Sequence, residues 1–171
     1  MYGAGPVLLG AFHCPDGTGE QKKKAGLKLK SRFLTRTPAI KRLMDDLGKS
    51  LDERKKTHKV QWLKGMDGRI LLVRSKHSAL NLIFQSAGAV LVKLATVLWH
   101  QKLEERGWQH GVDFVQVAHV HDEVQALSRP EIAEEVGKLF VESIEQAGRH
   151  FGFRVPMTGE YKIGKNWKET H

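Results

Sequence analysis

The chain has 171 residues, long enough to bury a substantial core or to form part of a larger molecule. An apolar share of 40% and a charged share of 27% are globular values, which argue against a disordered or fibrous chain. Lys and Arg outnumber Asp and Glu by 28 to 19, and the net charge of +9 suits a polyanionic partner as well as generic basicity. Cys14 is the one cysteine, which excludes an internal disulfide and a thiolate metal cluster.

Taken in chain order, residues 1–19 are glycine-rich and read as irregular, with a turn cluster at 14–19. Residues 20–35 form a basic helix carrying Lys22, Lys23, Lys24, Lys28, Lys30 and Arg32, with Leu27, Leu29, Phe33 and Leu34 as its packing face. Charge runs are usually solvated helix faces, which is the reading taken here; a path for a nucleic-acid strand is the alternative. Thr37-Pro38 predicts an N-cap and first helical residue. The helix it opens carries Ile40, Leu43, Met44, Leu47 and Leu51. Runs 60–63 and 70–73 flank the turn cluster 65–68 and predict a hairpin. A long helix over 75–106 stops at Gly107. Its most apolar window, 87–99, contains Lys93 and is too short to span a bilayer. No basic start followed by an apolar run opens the chain. A soluble, cytoplasmic protein with no membrane partner is the expectation.

A second hairpin is expected over 113–127, with His121-Asp122-Glu123 at its tight turn. Such turns favour Asn-Gly or Asp-Gly, and this one has no glycine. It sets adjacent carboxylates at the rim of an apolar sheet. That is costly unless a cation compensates, and Mg²⁺ prefers such oxygens while leaving room for phosphates. A solvated turn is the plain alternative for these residues taken alone. Ser128-Arg129-Pro130-Glu131 then looks like a capping box for a helix burying Ile132, Val136, Leu139, Phe140 and Ile144. A strand is expected around Val155. The composite is α+β: antiparallel hairpins packed with long helices.

The order of these pieces resembles the C-terminal part of a family A DNA polymerase, of the bacteriophage T7 type. Tyr2-Gly3-Ala4-Gly5 is similar to the end of motif B, past the fingers helix. Gly65-Met66-Asp67-Gly68-Arg69 and Val73-Arg74-Ser75 resemble the hairpin that leads into the palm helix. His77-Ser78-Ala79-Leu80-Asn81 with Gln85-Ser86-Ala87-Gly88-Ala89 resembles that helix, which touches the primer–template minor groove. Val120-His121-Asp122-Glu123 is similar to motif C, and Gly164-Lys165-Asn166-Trp167 to the family's ending.

The resemblance implies a partial polymerase palm, with residues 1–58 as the end of the fingers and 59–171 as palm. It implies template-directed nucleotidyl transfer to a primer 3′-hydroxyl, with primer–template DNA and deoxynucleoside triphosphates as partners. Asp122 and Glu123 would hold Mg²⁺ in a two-metal site, and His121 would position the primer end. Arg74, His77, Asn81 and Gln85 would contact DNA. Asn81 and Gln85 are i and i+4 on one helix face, with His77 a turn earlier. Motif A and the triphosphate-gripping fingers residues are not in this sequence, and Asp16, Asp45, Asp46 and Asp67 lie in the wrong contexts to replace motif A's carboxylate. The expectation is therefore a fragment or subunit, inactive alone, that joins an upstream polymerase polypeptide through an otherwise unpaired sheet edge. If phage-encoded, it would act in an infected bacterial host. The competing reading is a non-catalytic basic DNA-binding module.

Overall fold

The computed structural model describes residues 4–170. The chain divides into two compact units, 1–86 and 87–171. Tyr2 and Gly3, half of the motif B segment, lie outside the described residues.

The first unit begins with helix α1 (Pro6–His13), which opens on a proline at its first position. It corrects the expectation of an irregular start: the segment has no helical polarity pattern to read, and it is helical because it packs on α2 (Gly19–Arg36). The two helices meet at Gly10 and Gly26, both buried. A reciprocal capping box starts α2, in which Thr18 Oγ1 accepts from Gln21 N and Gln21 Oε1 accepts from Thr18 N. Helix α3 (Pro38–His58) has Pro38 at its start, as predicted. Thr37 does not cap it through its side chain; its hydroxyl turns back and donates to Phe33 O at 2.6 Å, closing α2 instead.

Strands β1 (Trp62–Lys64) and β2 (Ile70–Leu72) pair antiparallel, Leu63 opposite Leu71. Their turn is closed by Gly65 N to Arg69 O (2.7 Å) and needs a glycine at Gly68, whose φ is +85°. Arg54 lies 4.2 Å over the Trp62 ring and donates to Trp62 O, tying α3 to the hairpin. Leu51, Leu63, Val73 and Ala79 form this unit's core, with Leu47, Leu82 and Ile83 against them.

Helix α4 (Lys76–Glu105) spans 30 residues. Its apolar stretch is longer than the 87–99 window suggests, and by length and composition alone the helix could cross a membrane. Several of its side chains instead build protein cores: Leu91, Ala95, Trp99 and Leu103 are buried in the second unit. It ends in a Schellman motif, with Trp108 N bonded to Leu103 O, Gly107 N to Glu104 O, and Gly107 at φ +78°.

Strands β3 (Phe114–Val120) and β4 (Glu123–Ser128) pair antiparallel. A short 3₁₀ turn (Pro130–Ile132) leads into α5 (Ala133–His150). The expected capping box at Ser128 is not formed. Ser128 is the last residue of β4, opposite Phe114, so the N-cap position falls one residue later on Arg129, whose side chain makes no cap bond. On α5, Val136, Leu139, Ser143 and Ala147 fall on one buried stripe, as helical spacing dictates. Trp99 anchors the core between α4 and α5: its indole donates to Val136 O at 3.0 Å and its ring meets Phe140 edge-on.

Val155 does not lie in a strand and is 70% exposed. The segment after α5 runs back along that helix without pairing. Met157 fills the space a Cβ on Gly148 would occupy, and Tyr161 does the same at Gly137. Tyr161 Oη donates to Glu134 Oε1 at 2.5 Å, which holds Glu134 below the usual carboxylate range and pushes the Tyr161 phenol up. The last helix is α6 (Trp167–Thr170).

Candidate active site

The base of the β3–β4 hairpin is fixed by a buried acid. Asp113 pairs with Arg129 (2.9 Å) and accepts from Gln109 N (2.7 Å). The ladder runs Phe114↔Ser128, Val115↔Leu127 and Gln116↔Ala126, then resumes at Ala118↔Gln125 and ends at Val120↔Glu123. Val117 is the extra residue of a β-bulge. One inserted residue flips every later side chain to the opposite face. The bulge thus puts Ala118 and Val120 on the side of Glu123 and Gln125, while Val124 and Ala126 face the core with Phe114.

The tip is a two-residue turn, His121-Asp122. Glu123, expected within the turn, is the first residue of β4. His121 sits at φ +56° and Asp122 does not share the positive φ. A positive φ at the first central position alone is the pattern of a II′ turn, whose first place ordinarily goes to glycine. A non-glycine residue there carries strain of order 1 kcal/mol, held by the paired strands on either side. The geometry drives both turn side chains outward: His121 and Asp122 are exposed.

The two carboxylates differ in what holds them. No hydrogen bond or ion pair binds the Asp122 carboxylate among the described residues. Glu123 is half-buried, and its Oε1 accepts from the Trp167 indole at 2.9 Å and from the Gln125 amide. Thr170 Oγ1 reaches Gln125 Oε1 at 3.2 Å. Helix α6 therefore lies on the hairpin face that carries Glu123 and Gln125. Sequence reasoning did not find this contact. Trp167 and Glu123 are 44 positions apart, and no local pattern joins them.

Donor chemistry allows a hard divalent cation at this turn, since Asp122 offers an uncommitted, exposed carboxylate and the oxygen-rich Glu123 follows it. Among the described residues no group of three or more His, Cys, Asp or Glu side chains gathers to hold a metal. The turn can supply part of a metal site, not a complete cage.

The expected DNA-contacting residues lie in the first unit. Arg74, His77 and Gln85 are exposed, and Asn81 is half-buried. The Asn81 Oδ1 atom is buried without a hydrogen-bond partner.

Compared with solved structures, the chain is similar in fold to the POL domain of Pol1 from M. smegmatis in complex with DNA primer-template and dNTP. The TM-score is 0.57 at 18% identity, over 80% of this chain and 24% of that one. The α+β expectation is borne out at the level of a polymerase-domain fold. The sequence matches DNA polymerase family A over residues 2–169, and the chain belongs to that family. It is 38% identical over 182 aligned residues to a DNA-directed DNA polymerase of Enterobacteria phage T3, and 37% identical over 185 to one of Escherichia phage T7. The expected likeness to the T7 type is thereby borne out. All of this chain but only 25% of each phage polymerase is covered, so the chain spans about a quarter of their length.

Proposed function

We propose that the chain supplies the motif C part of a DNA polymerase palm, for template-directed nucleotidyl transfer from a deoxynucleoside triphosphate to a primer 3′-hydroxyl. The observation that carries this reading is the turn itself: an exposed Asp122 with no hydrogen-bond or ion-pair partner among the described residues, beside a Glu123 that accepts from the Trp167 indole and the Gln125 amide. Asp122 serves as a direct ligand to Mg²⁺. Glu123 supports it from the start of β4. His121, driven outward by its positive φ, positions the primer end. When bound, Mg²⁺ supplies activation of the attacking hydroxyl and neutralises charge developing on the phosphoryl group. In this reading residues 1–58 belong to the fingers and 59–171 to the palm, in the cytoplasm of a bacterial host.

The missing donors come from an upstream polymerase polypeptide carrying motif A and the fingers helix. Two observations favour such a partner. Among the described residues β3 and β4 form a sheet of two strands, extended only by a single bridge from His110 to Phe114, and Val117 and Leu127 stand 53% and 65% exposed on that hairpin. An open edge flanked by exposed apolar side chains is an aggregation hazard unless something covers it. The 171-residue chain alone is expected to extend no primer. Co-expression with an upstream fragment bearing motif A is expected to restore extension. Template-directed incorporation by the chain alone, surviving stringent purification, would overturn this reading. DNA binding without extension in the co-expressed complex would favour the second reading, a non-catalytic basic DNA-binding module. The exposed Lys23, Lys24, Lys28 and Arg32 of α2 are the observation behind that alternative.

Asn81 and Gln85 provide a separate test. With Oδ1 buried, Asn81 has its Nδ2 donors left for a ligand, and minor-groove acceptors at A N3 and T O2 are present in every A·T pair in either orientation. A buried, unsatisfied oxygen costs about 1–3 kcal/mol. Asn81→Ala is therefore expected to leave the melting temperature unchanged or raised while weakening primer–template use. Gln85→Ala, at an exposed site, weakens use with no stability change. Unaltered extension of matched and mismatched primers by the double variant in a reconstituted enzyme would show the groove assignment to be wrong.

A further inference from the structure

We infer that Trp167 is a positioning residue for the metal-binding turn: the C-terminal helix α6 is a brace whose indole N–H fixes the Glu123 carboxylate. The inference rests on the reading of Asp122 and Glu123 as the Mg²⁺-binding pair.

The brace is built residue by residue from the Gly164-Lys165-Asn166-Trp167 segment. Gly164 lies so close to the next turn that an added Cβ would stand 2.6 Å from Glu169 Cβ, so a side chain there would push α6 away. Asn166 Oδ1 accepts from Glu169 N (3.3 Å), and the Glu169 carboxylate accepts from Lys165 N and Asn166 Nδ2, both at 2.8 Å. This reciprocal capping holds a four-residue helix that is far too short to be stable by itself. What it presents to β4 is the Trp167 indole on Glu123 Oε1 and the Thr170 hydroxyl on Gln125 Oε1, while Gln125 Nε2 donates to the same Glu123 oxygen. Glu123 and Gln125 are two apart on one strand and share a face.

The chemistry of the donors matters. An Arg or Lys in this place would neutralise Glu123 and compete with a cation. Indole and carboxamide N–H groups orient a carboxylate and bring no positive charge of their own. Hydrogen bonds of this outer kind set the angle and basicity of metal-binding side chains. The asymmetry at the turn follows: Asp122 is left to the cation, and Glu123 is aimed.

The test uses the full chain with Mn²⁺ as the probe. In protein labelled at the tryptophan indoles with ¹⁵N, the Trp167 indole signal is expected to shift on Glu123→Gln and to broaden on adding Mn²⁺. Trp167→Phe keeps the aromatic ring and deletes the donor. It is expected to weaken Mn²⁺ binding about tenfold, the lower end for losing an outer hydrogen bond, with an unchanged melting temperature. Gln125→Met, a second and independent deletion of a donor, is expected to act in the same direction. Parent-like Mn²⁺ affinity in both variants, with binding lost in Asp122→Ala, would overturn the brace and leave the metal-binding turn standing. Parent-like Mn²⁺ affinity in Asp122→Ala would overturn the metal-binding turn itself, and the role of the brace with it.

Discussion

Primer extension is expected to fall by about a thousandfold or more when Asp122 is replaced by alanine in a complete polymerase containing this segment, whereas Glu123→Ala keeps a measurable rate. A thousandfold loss is about 4 kcal/mol of barrier, a reasonable size for removing a direct ligand from a reaction that depends mainly on positioning and electrostatics. The difference between the two acids comes from their surroundings. Asp122 is exposed at the second place of a two-residue turn, and no hydrogen bond or ion pair holds it among the described residues. Glu123 is shared with Trp167 and Gln125, so its alanine variant loses an aimed charge but not the main donor. The measurement is single-turnover extension in a chimera in which this segment replaces the matching part of the phage T7 polymerase. Equal, mild losses for both variants would mean that the turn is not the metal site.

The features that were legible in the sequence have local physical causes. The ends of α3 and α4 were marked by Pro38 and Gly107, whose backbone preferences act within a turn of the chain. The amphipathic stripe of α5 and the two hairpins followed from periodicity. Where the reading failed, a long-range contact had decided the outcome. Helix α1 has an apolar, glycine-interrupted sequence that reads as loop, and it is helical because α2 accepts it. Ser128 has the chemistry of an N-cap, but the strand pairing with Phe114 runs through it and shifts the cap position to Arg129. Val155 has the residue type of a strand without a partner strand, so the segment follows the groove of α5 left by Gly137 and Gly148. At the candidate site, Asp122 and Glu123 stood out because paired acids in a glycine-free turn are costly. The Val117 bulge and the hydrogen bond from Trp167 to Glu123 left no local trace in the sequence.

Gly26→Ala is expected to destabilise the first unit by about 3 kcal/mol or more, although alanine is the better helix former. Alanine in a helix interior gains up to about 1 kcal/mol over glycine, so the sign depends on what the new methyl group meets. At Gly26 it would overlap the Pro6 carbonyl, and at Gly10 it would overlap the Lys22 carbonyl. Both neighbours are backbone, so no side chain can turn aside, and the helices must separate. Overpacking of this kind typically costs 1–3 kcal/mol and more where the clash is rigid. Each kcal/mol lowers the melting temperature of a unit this size by about 4–8 °C, so a fall of more than 10 °C is expected. Gly48 in α3 is the control, because nothing lies within 4 Å of the Cβ it would gain. Gly48→Ala is expected to raise the melting temperature by a few degrees, in keeping with about 0.5–1 kcal/mol of helix preference. A Gly26→Ala protein that melts with the parent would mean that α1 and α2 do not cross at these glycines. A fall for Gly26→Ala alongside a rise for Gly48→Ala would establish that the close crossing, and not helix propensity, decides which glycines this fold requires.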